Sequence, residues 1–306
     1  MYKRQEFLLS QGVSKDLLDG VDEFIEKHDL NKDFEYRIPN IKYKYYGKKT
    51  WEKAIAAILS GDNILLSGPK ATGKNVLAEN LAYLFKRPLW TVSLNIASDP
   101  SSLIGSDTFK NNEVTLKKGP VYEAAEEGGF AVFDEINMAK NEALSVVHST
   151  LDYRRVLDIS GYDRLMLNDA TRFIATMNYG YIGTRDLNEA LVSRFLVIDM
   201  PTIAEEDLAK LFKENTRLNK DAIKIFTRLF LDLQDKSLNS EISSKAIDLR
   251  GLMSSIELMN RGLGIRESLD LGIVDKTFDS YEKEIVNDVI DTLFVKNIER
   301  ADLFEG

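Results

Sequence analysis

Apolar residues fall into two kinds of run along this chain. Short, nearly continuous runs occur at Ile64-Leu65-Leu66, Leu89-Trp90-Thr91-Val92, Phe130-Ala131-Val132-Phe133, Phe173-Ile174-Ala175 and Leu196-Val197-Ile198. Such runs suit strands covered on both faces, as in a parallel sheet. Between them the spacing is helical, over Trp51 to Leu59, Val76 to about Lys86, Pro120 to Gly128, Asn141 to Leu151 and Leu187 to Phe195. Asn111-Asn112 divides Asp107-Thr108-Phe109 from Val114-Thr115-Leu116, and Gly161-Tyr162-Asp163 divides Arg155–Ile159 from Arg164–Leu167; both read as inserted hairpins. From Ile203 onward only the helical period remains, predicting helices over 204–216, 221–235, 243–261 and 279–297, with a shorter one around 267–271. Sheet first and helices afterwards predict an α/β domain with an α-helical appendage, divided at Pro201-Thr202.

The first 35 residues carry a broken helical stripe (Phe7, Leu8, Leu9, Val13, Leu17, Leu18, Val21, Phe24, Ile25), expected to pack against the following domain. The segment Tyr43-Lys44-Tyr45-Tyr46-Gly47-Lys48-Lys49 interleaves aromatic and basic residues. That pattern can stack single-stranded nucleic acid, but a surface segment with snorkelling lysines is the expected reading.

Composition narrows the possibilities. A net charge of −9 over 306 residues argues against general nucleic-acid binding by a basic surface. There is no cysteine, hence no disulfide or thiolate metal site, and two histidines do not make a His-rich one. No apolar run approaches the length of a membrane span, and the start turns polar too soon for a signal peptide. The expected location is the cytoplasm.

The chemistry centres on Gly68-Pro69-Lys70-Ala71-Thr72-Gly73-Lys74-Asn75, between a predicted strand and a predicted helix that opens near Val76. In that setting G-x-x-x-x-G-K cradles a phosphate chain. Gly68 and Gly73 permit backbone angles closed to other residues. Helix-terminal N–H groups face the phosphates, and Lys74 reaches the β- and γ-phosphates. A Ser or Thr usually follows the lysine and binds Mg²⁺; here Asn75 takes that place. Sixty residues after Lys74, Phe130 to Phe133 ends in Asp134-Glu135. Carboxylates at the carboxyl end of a parallel strand face the ligand crevice, so Asp134 is expected to hold Mg²⁺ and Glu135 to deprotonate the attacking water. Asn178, ending the run from Arg172, is placed to polarise that water or touch the γ-phosphate.

In this order the motifs resemble the AAA+ ATPases, within them the MoxR-like and dynein-related branch, over about Tyr46 to Gly264. Gly68 to Asn75, followed by Val76, looks like Walker A, Phe130 to Glu135 like Walker B, and Asn178 like sensor 1. Tyr46-Gly47-Lys48 sits where the family has its adenine-side motif. Glu189 to Phe195 resembles the arginine-finger segment, with Arg194 as the finger and Arg185 as a second candidate. Asp248-Leu249-Arg250-Gly251 resembles the sensor 2 lid helix, with Arg250 on the phosphates. The two hairpins fall where this branch carries its helix-2 and pre-sensor-1 insertions.

The resemblance implies a P-loop NTPase three-layer αβα domain over 46–201 and an α-helical lid over 202–306, preceded by a helical or irregular extension over 1–45. It implies ATP and Mg²⁺ as ligands, with Lys74, Glu135, Asn178, Arg194 and Arg250 in catalysis and Asp134 and Asn75 at the metal. It further implies a homo-oligomeric ring, often hexameric, that remodels or matures a protein partner, in this branch one with a von Willebrand factor A domain. Two other readings stand beside it. Asn75 motivates a nucleotide-gated scaffold with little turnover. Lys110, Lys117 and Lys118 near the first hairpin motivate the motor of a nucleic-acid-processing complex.

Overall fold

The computed structural model describes residues 2–110, 112–179, 187–294 and 298–305. The chain divides into two compact units, Met1–Pro69 with Gly73–Pro201, and Lys70–Thr72 with Thr202–Gly306.

The first unit is built on a five-stranded sheet of β1 (Ile64–Gly68), β2 (Leu89–Ser93), β3 (Phe130–Asp134), β4 (Arg172–Asn178) and β5 (Leu196–Asp199). Spatial order is β2-β3-β4-β1-β5, with every pairing parallel. All five residues of β1 and the first four of β3 are buried, whereas the edge strands β2 and β5 alternate or face solvent. Continuous apolarity thus marks the central strands β1, β3 and β4, which helices cover on both sides, but not β5, an edge strand whose Leu196 and Val197 are exposed despite the apolar run. Successive side chains of a strand point to opposite faces, and the core divides accordingly. Ile64, Leu66, Phe130, Val132 and Ile174 pack with Trp51, Ile55, Leu77 and Phe85 on one face. Leu65, Ala131, Phe133, Phe173 and Ala175 pack with Val121, Leu144, Val147 and Leu191 on the other. The result is a three-layer αβα unit.

The N-terminal helices Tyr2–Ser10 and Lys15–Lys27 are part of this unit, because Leu8, Val13, Leu18, Val21 and Phe24 belong to the first of those clusters. Arg87, 1% exposed, secures the chain beyond them. Its guanidinium donates to the carbonyls of His28 at 2.7 Å, Asp29 at 3.4 Å and Gly128 at 3.4 Å.

Both hairpins are present, Gly105–Lys110 against Glu113–Lys118 and Val156–Leu157 against Leu165–Met166. The Tyr162 hydroxyl links them by donating to Asp107 Oδ1 at 2.7 Å. The helix expected over 141–151 is broken into Asn141–Leu144, a 3-10 turn Ser145–Val147 and His148–Leu151. Hydroxyls compete with the helical ladder there: Ser145 Oγ donates to Glu142 O and Thr150 Oγ1 to Val147 O.

The second unit carries helices Glu205–Asn215, Lys220–Leu238, Leu249–Asn260, Ile265–Gly272 and Ser280–Leu293. Asn219, Asp248 and Asp279 cap three of them through side-chain oxygens. The helix expected from 243 begins only at Leu249, where Asp248 caps it. Leu218 and Phe304 form an antiparallel bridge.

Candidate nucleotide-binding site

The register of the sheet brings the predicted residues to one edge. Gly68 at the end of β1 lies opposite Asn178 at the end of β4, and Ser93 of β2 lies opposite Asp134 of β3. The carboxyl ends of β1, β3 and β4 therefore align at the crevice where ligands of open α/β sheets bind. A Cβ on Gly68 would come within 2.8 Å of Met200 O, so the chain leaving β5 passes too close for any side chain there. Gly73 has φ 81° and turns the chain into the helix Lys74–Leu84. That eleven-residue helix offers its first N–H groups and positive dipole end toward an anion.

Lys74 is 8% exposed and its Nζ donates to the carbonyls of Gly68 at 2.9 Å and Pro69 at 2.6 Å. Burial lowers its pKa to about 8, against the pull of the neighbouring Asp134 and Glu135 carboxylates, which raises it. A lysine so desolvated gains more from an arriving phosphate than one already in water.

Asp134 and Glu135 are organised by a residue that sequence reasoning passed over. The Thr176 hydroxyl, buried in β4, donates to Asp134 Oδ1 at 2.7 Å and accepts the Glu135 N–H at 3.1 Å. Glu135 adopts φ 56°, ψ 50°, a left-handed conformation that is strained for a residue with a side chain. Asn178 Nδ2 donates to Glu135 Oε1 at 3.2 Å, and Asn137 Nδ2 donates to the Asn178 carbonyl at 3.0 Å. Lys74, Asp134, Glu135, Thr176 and Asn178 thus form one constellation. The Thr176 bond orients Asp134 and uses only one carboxylate oxygen, so the donor set fits a hard divalent cation. Asn75, in the first turn of the helix, is exposed. In the chain Thr176 and Asn137 are marked only as polar residues between apolar neighbours; the structure buries both, and buried polar groups need partners.

The remaining expected residues are distributed more widely. Tyr46 is buried and meets Phe7 edge-on, while its neighbour Tyr45 lies against the loop: a Cβ on Gly73 would be 3.2 Å from the Tyr45 ring. Gly47 has φ 135° and precedes the helix Lys48–Leu59. Asn80 Nδ2 donates to Tyr43 O at 2.9 Å and Trp51 Nε1 to Tyr45 O at 2.9 Å, so this segment is pinned both to the helix that follows the loop and to the helix Lys48–Leu59. Both tyrosines are thereby withdrawn from base stacking. Val76, half-buried, accepts from Asn80 Nδ2 at 2.7 Å. Lys70, Ala71 and Thr72 group with the second unit, with Ala71 at φ 61°. Arg250 also belongs to the second unit, where its N–H donates to Asp248 Oδ1 at 3.1 Å in the cap of Leu249–Asn260. Arg194 makes its described contacts on its own chain, to the carbonyls of His148 and Ala190 and to Asp152. Arg185 lies outside the described residues.

A family model described as AAA domain (dynein-related subfamily) matches residues 63–195, which include every member of the constellation. The chain belongs to the dynein-related AAA+ ATPases. Relatives of this ATPase match over most of its length. The uncharacterized protein YojN of Bacillus subtilis is 32% identical over 297 residues, 95% of each chain. An uncharacterized protein of Staphylococcus epidermidis is 34% identical over 260 residues, 82% of this chain and 98% of that one. A crystal structure of a Cytophaga hutchinsonii protein aligns over 94% of this chain and 98% of its own, with 16% identity and a TM-score of 0.46. No helix among the described residues is long and apolar enough to cross a membrane.

Proposed function

We propose that this AAA+ ATPase is MoxR-like: it works in the cytoplasm as a hexameric ring of identical subunits, hydrolyses Mg²⁺-bound ATP at their interfaces, and remodels or matures a protein partner carrying a von Willebrand factor A domain. The observation that carries the catalytic part is the Lys74–Asp134–Glu135–Thr176–Asn178 constellation, whose Glu135 is strained and is hydrogen-bonded to both Thr176 and Asn178.

In this reading the glycine loop and the N–H groups opening Lys74–Leu84 hold the phosphates. Lys74 exchanges the carbonyls of Gly68 and Pro69 for phosphate oxygens. Asp134, oriented by Thr176, and Asn75 would hold Mg²⁺, which would neutralise charge developing on the phosphates. Glu135 takes a proton from the attacking water, and Asn178 keeps its carboxylate turned toward that water. Arg194 serves the site of a neighbouring subunit, and Arg250 serves its own from the lid. A ring needs such a head-to-tail interface, in which two different surfaces of identical subunits meet.

The test is steady-state Mg-ATP hydrolysis across a range of protein concentrations, with Glu135→Gln as control. The proposal expects turnover per subunit to rise with concentration and to vanish in E135Q; turnover independent of concentration would defeat the shared-site reading. A second reading, a nucleotide-gated scaffold with little turnover, is favoured by Asn75 alone. Asn75→Thr separates the two. A large gain in rate and a lower Mg²⁺ requirement would mean that the asparagine throttles the native enzyme; no change would leave the hydrolysing reading in place. For a nucleic-acid motor, Lys118 is poorly available, because Glu126 holds its ammonium at 2.5 Å.

A further inference from the structure

Arg194 does not stand free at the surface of its subunit. Its Nε donates to His148 O at 3.3 Å, a second nitrogen bonds Ala190 O, and a third lies 3.7 Å from Asp152 Oδ2. Asp152 has a nearer partner. Arg154 grips the same carboxylate through Nε, at 3.0 Å to Oδ1 and 3.2 Å to Oδ2, and through a terminal nitrogen at 2.6 Å to Oδ2. The two guanidiniums thus compete for one acid, and the competition is unequal. Arg154 holds Asp152 with the two-pronged geometry that makes arginine–carboxylate pairs strong, while Arg194 is left at the limit of an ion pair. The exposures agree: Asp152 is 14% exposed, Arg194 23% and Arg154 51%.

We propose that Arg154 is a positioning residue for the trans-acting arginine: by occupying Asp152 it prevents that carboxylate from locking Arg194 onto its own subunit. This rests on the reading of Arg194 as the residue that reaches a neighbour's γ-phosphate. Without Arg154, Asp152 is a half-buried carboxylate with one cation within reach. Arg194 then closes from 3.7 Å to a full charge-assisted pair, and its extension to the neighbouring site must break that pair. With Arg154 present, Arg194 leaves at little cost, because Asp152 keeps a partner. His148 also faces this cluster. Its pKa is lowered by burial and by the Arg194 charge, so it stays neutral and does not compete for the acid near pH 7.

The arrangement dictates a rescue experiment. Wild type, Arg194→Gln, Arg154→Gln and the double variant D152N/R154Q are compared in steady-state ATPase assays at saturating Mg-ATP and high protein concentration. Assembly is followed by sedimentation and folding by thermal melts. Asn at 152 keeps the oxygen that accepts the Arg154 N–H at 3.0 Å, so the local turn survives. R154Q is expected to lose at least tenfold in kcat with KM unchanged, and D152N/R154Q to recover at least half of the wild-type rate. Recovery by deleting a second charged residue is not the behaviour of a merely structural arginine. Wild-type kcat in R154Q, or a folded double variant as slow as R154Q, overturns the proposal while leaving the Arg194 reading intact. Wild-type kcat in R194Q overturns that reading and the proposal with it. If the double variant does not fold, Arg154→Lys decides: a lysine keeps the charge but not the two-pronged grip, so a wild-type rate there overturns the proposal and an intermediate rate supports it.

Discussion

Replacing Thr176 by valine removes one hydroxyl from the centre of the site at nearly constant volume. That hydroxyl is 1% exposed and makes two bonds, one donated to the Asp134 carboxylate at 2.7 Å and one accepted from the Glu135 N–H at 3.1 Å. A bond to a charged group contributes roughly 1.5–3 kcal/mol, and an N–H left without an acceptor costs about 1–3 kcal/mol. Together these give about 2.5–6 kcal/mol, and because Asp134 is only half-buried the lower end is expected, about 3 kcal/mol, or roughly 6–12 °C in Tm for a domain of this size. The effect on catalysis is separate. Glu135 is held at φ 56° against the preference of a residue with a side chain, a conformation that costs on the order of 1–3 kcal/mol and persists only where its surroundings enforce it. Without Thr176 the Glu135 N–H loses its acceptor, and the described bonds left are the 2.8 Å bond from the Met138 N–H to its carbonyl and the 3.2 Å bond from Asn178 to its carboxylate. A shift of about 1 Å in a catalytic group can lower the rate on the order of a hundredfold. The assay is kcat at saturating Mg-ATP, with nucleotide affinity measured separately by fluorescence below the Tm of the variant. Thr176→Val is expected to lower kcat between about tenfold and a hundredfold with affinity nearly unchanged, because the phosphate loop is untouched. Thr176→Ser, which keeps the hydroxyl, is expected to restore most of the rate. A T176V protein at wild-type kcat, or a T176S protein as slow as T176V, would refute the reasoning.

Two further outcomes follow from the geometry. The buried Lys74, with its pKa near 8, is protonated in the free protein below that pH and neutral above it; bound phosphate raises the pKa again, so binding above pH 8 must take up a proton. Nucleotide affinity is expected to be flat below about pH 7 and to weaken by up to about tenfold per unit above 8, and titrations showing flat affinity to pH 9.5 would contradict it. In the second unit a Cβ on Gly251 would sit 2.1 Å from Gly272 O, a backbone atom that cannot swing aside. Gly251→Ala is expected to cost about 1–3 kcal/mol or more, and a thermal melt indistinguishable from wild type would rule out the close helix contact.

Much of the first unit was legible because its rules are local. Continuous apolar runs marked the strands, though not which of them lie at the exposed edge, as Leu196 and Val197 show, and the glycine loop needed only the strand before it and the helix after it. The helices of the second unit were legible from their period, and their starts became definite only where a cap fixed them. Asp248 ends an irregular stretch from 243 that Ser243 anchors through Glu282: the Ser243 N–H and hydroxyl both donate to that carboxylate, at 2.9 and 2.8 Å. Periodicity does not report such a bond. The order β2-β3-β4-β1-β5 was equally out of reach, since each parallel pairing joins segments tens of residues apart.

The candidate site was legible to the extent that its residues follow a phosphate-binding pattern rather than their contacts with each other. Lys74, Asp134, Glu135 and Asn178 follow from what phosphate transfer needs. The partners of Thr176 and Asp152 follow only from register and folding, because Thr176 is 42 residues from the Asp134 it orients and Asp152 is 42 from Arg194. The same distinction explains why the site breaks local preference where it does. A glutamate at positive φ and a lysine buried with its charge are each unfavourable alone. Thr176 and Asn178 hold the glutamate, while the carbonyls of Gly68 and Pro69 and the nearby acids hold the lysine. Those hydrogen bonds thus maintain one strained backbone and one buried cation at one end of the sheet, and neither state adds to the stability of the sheet itself, as expected of a functional site.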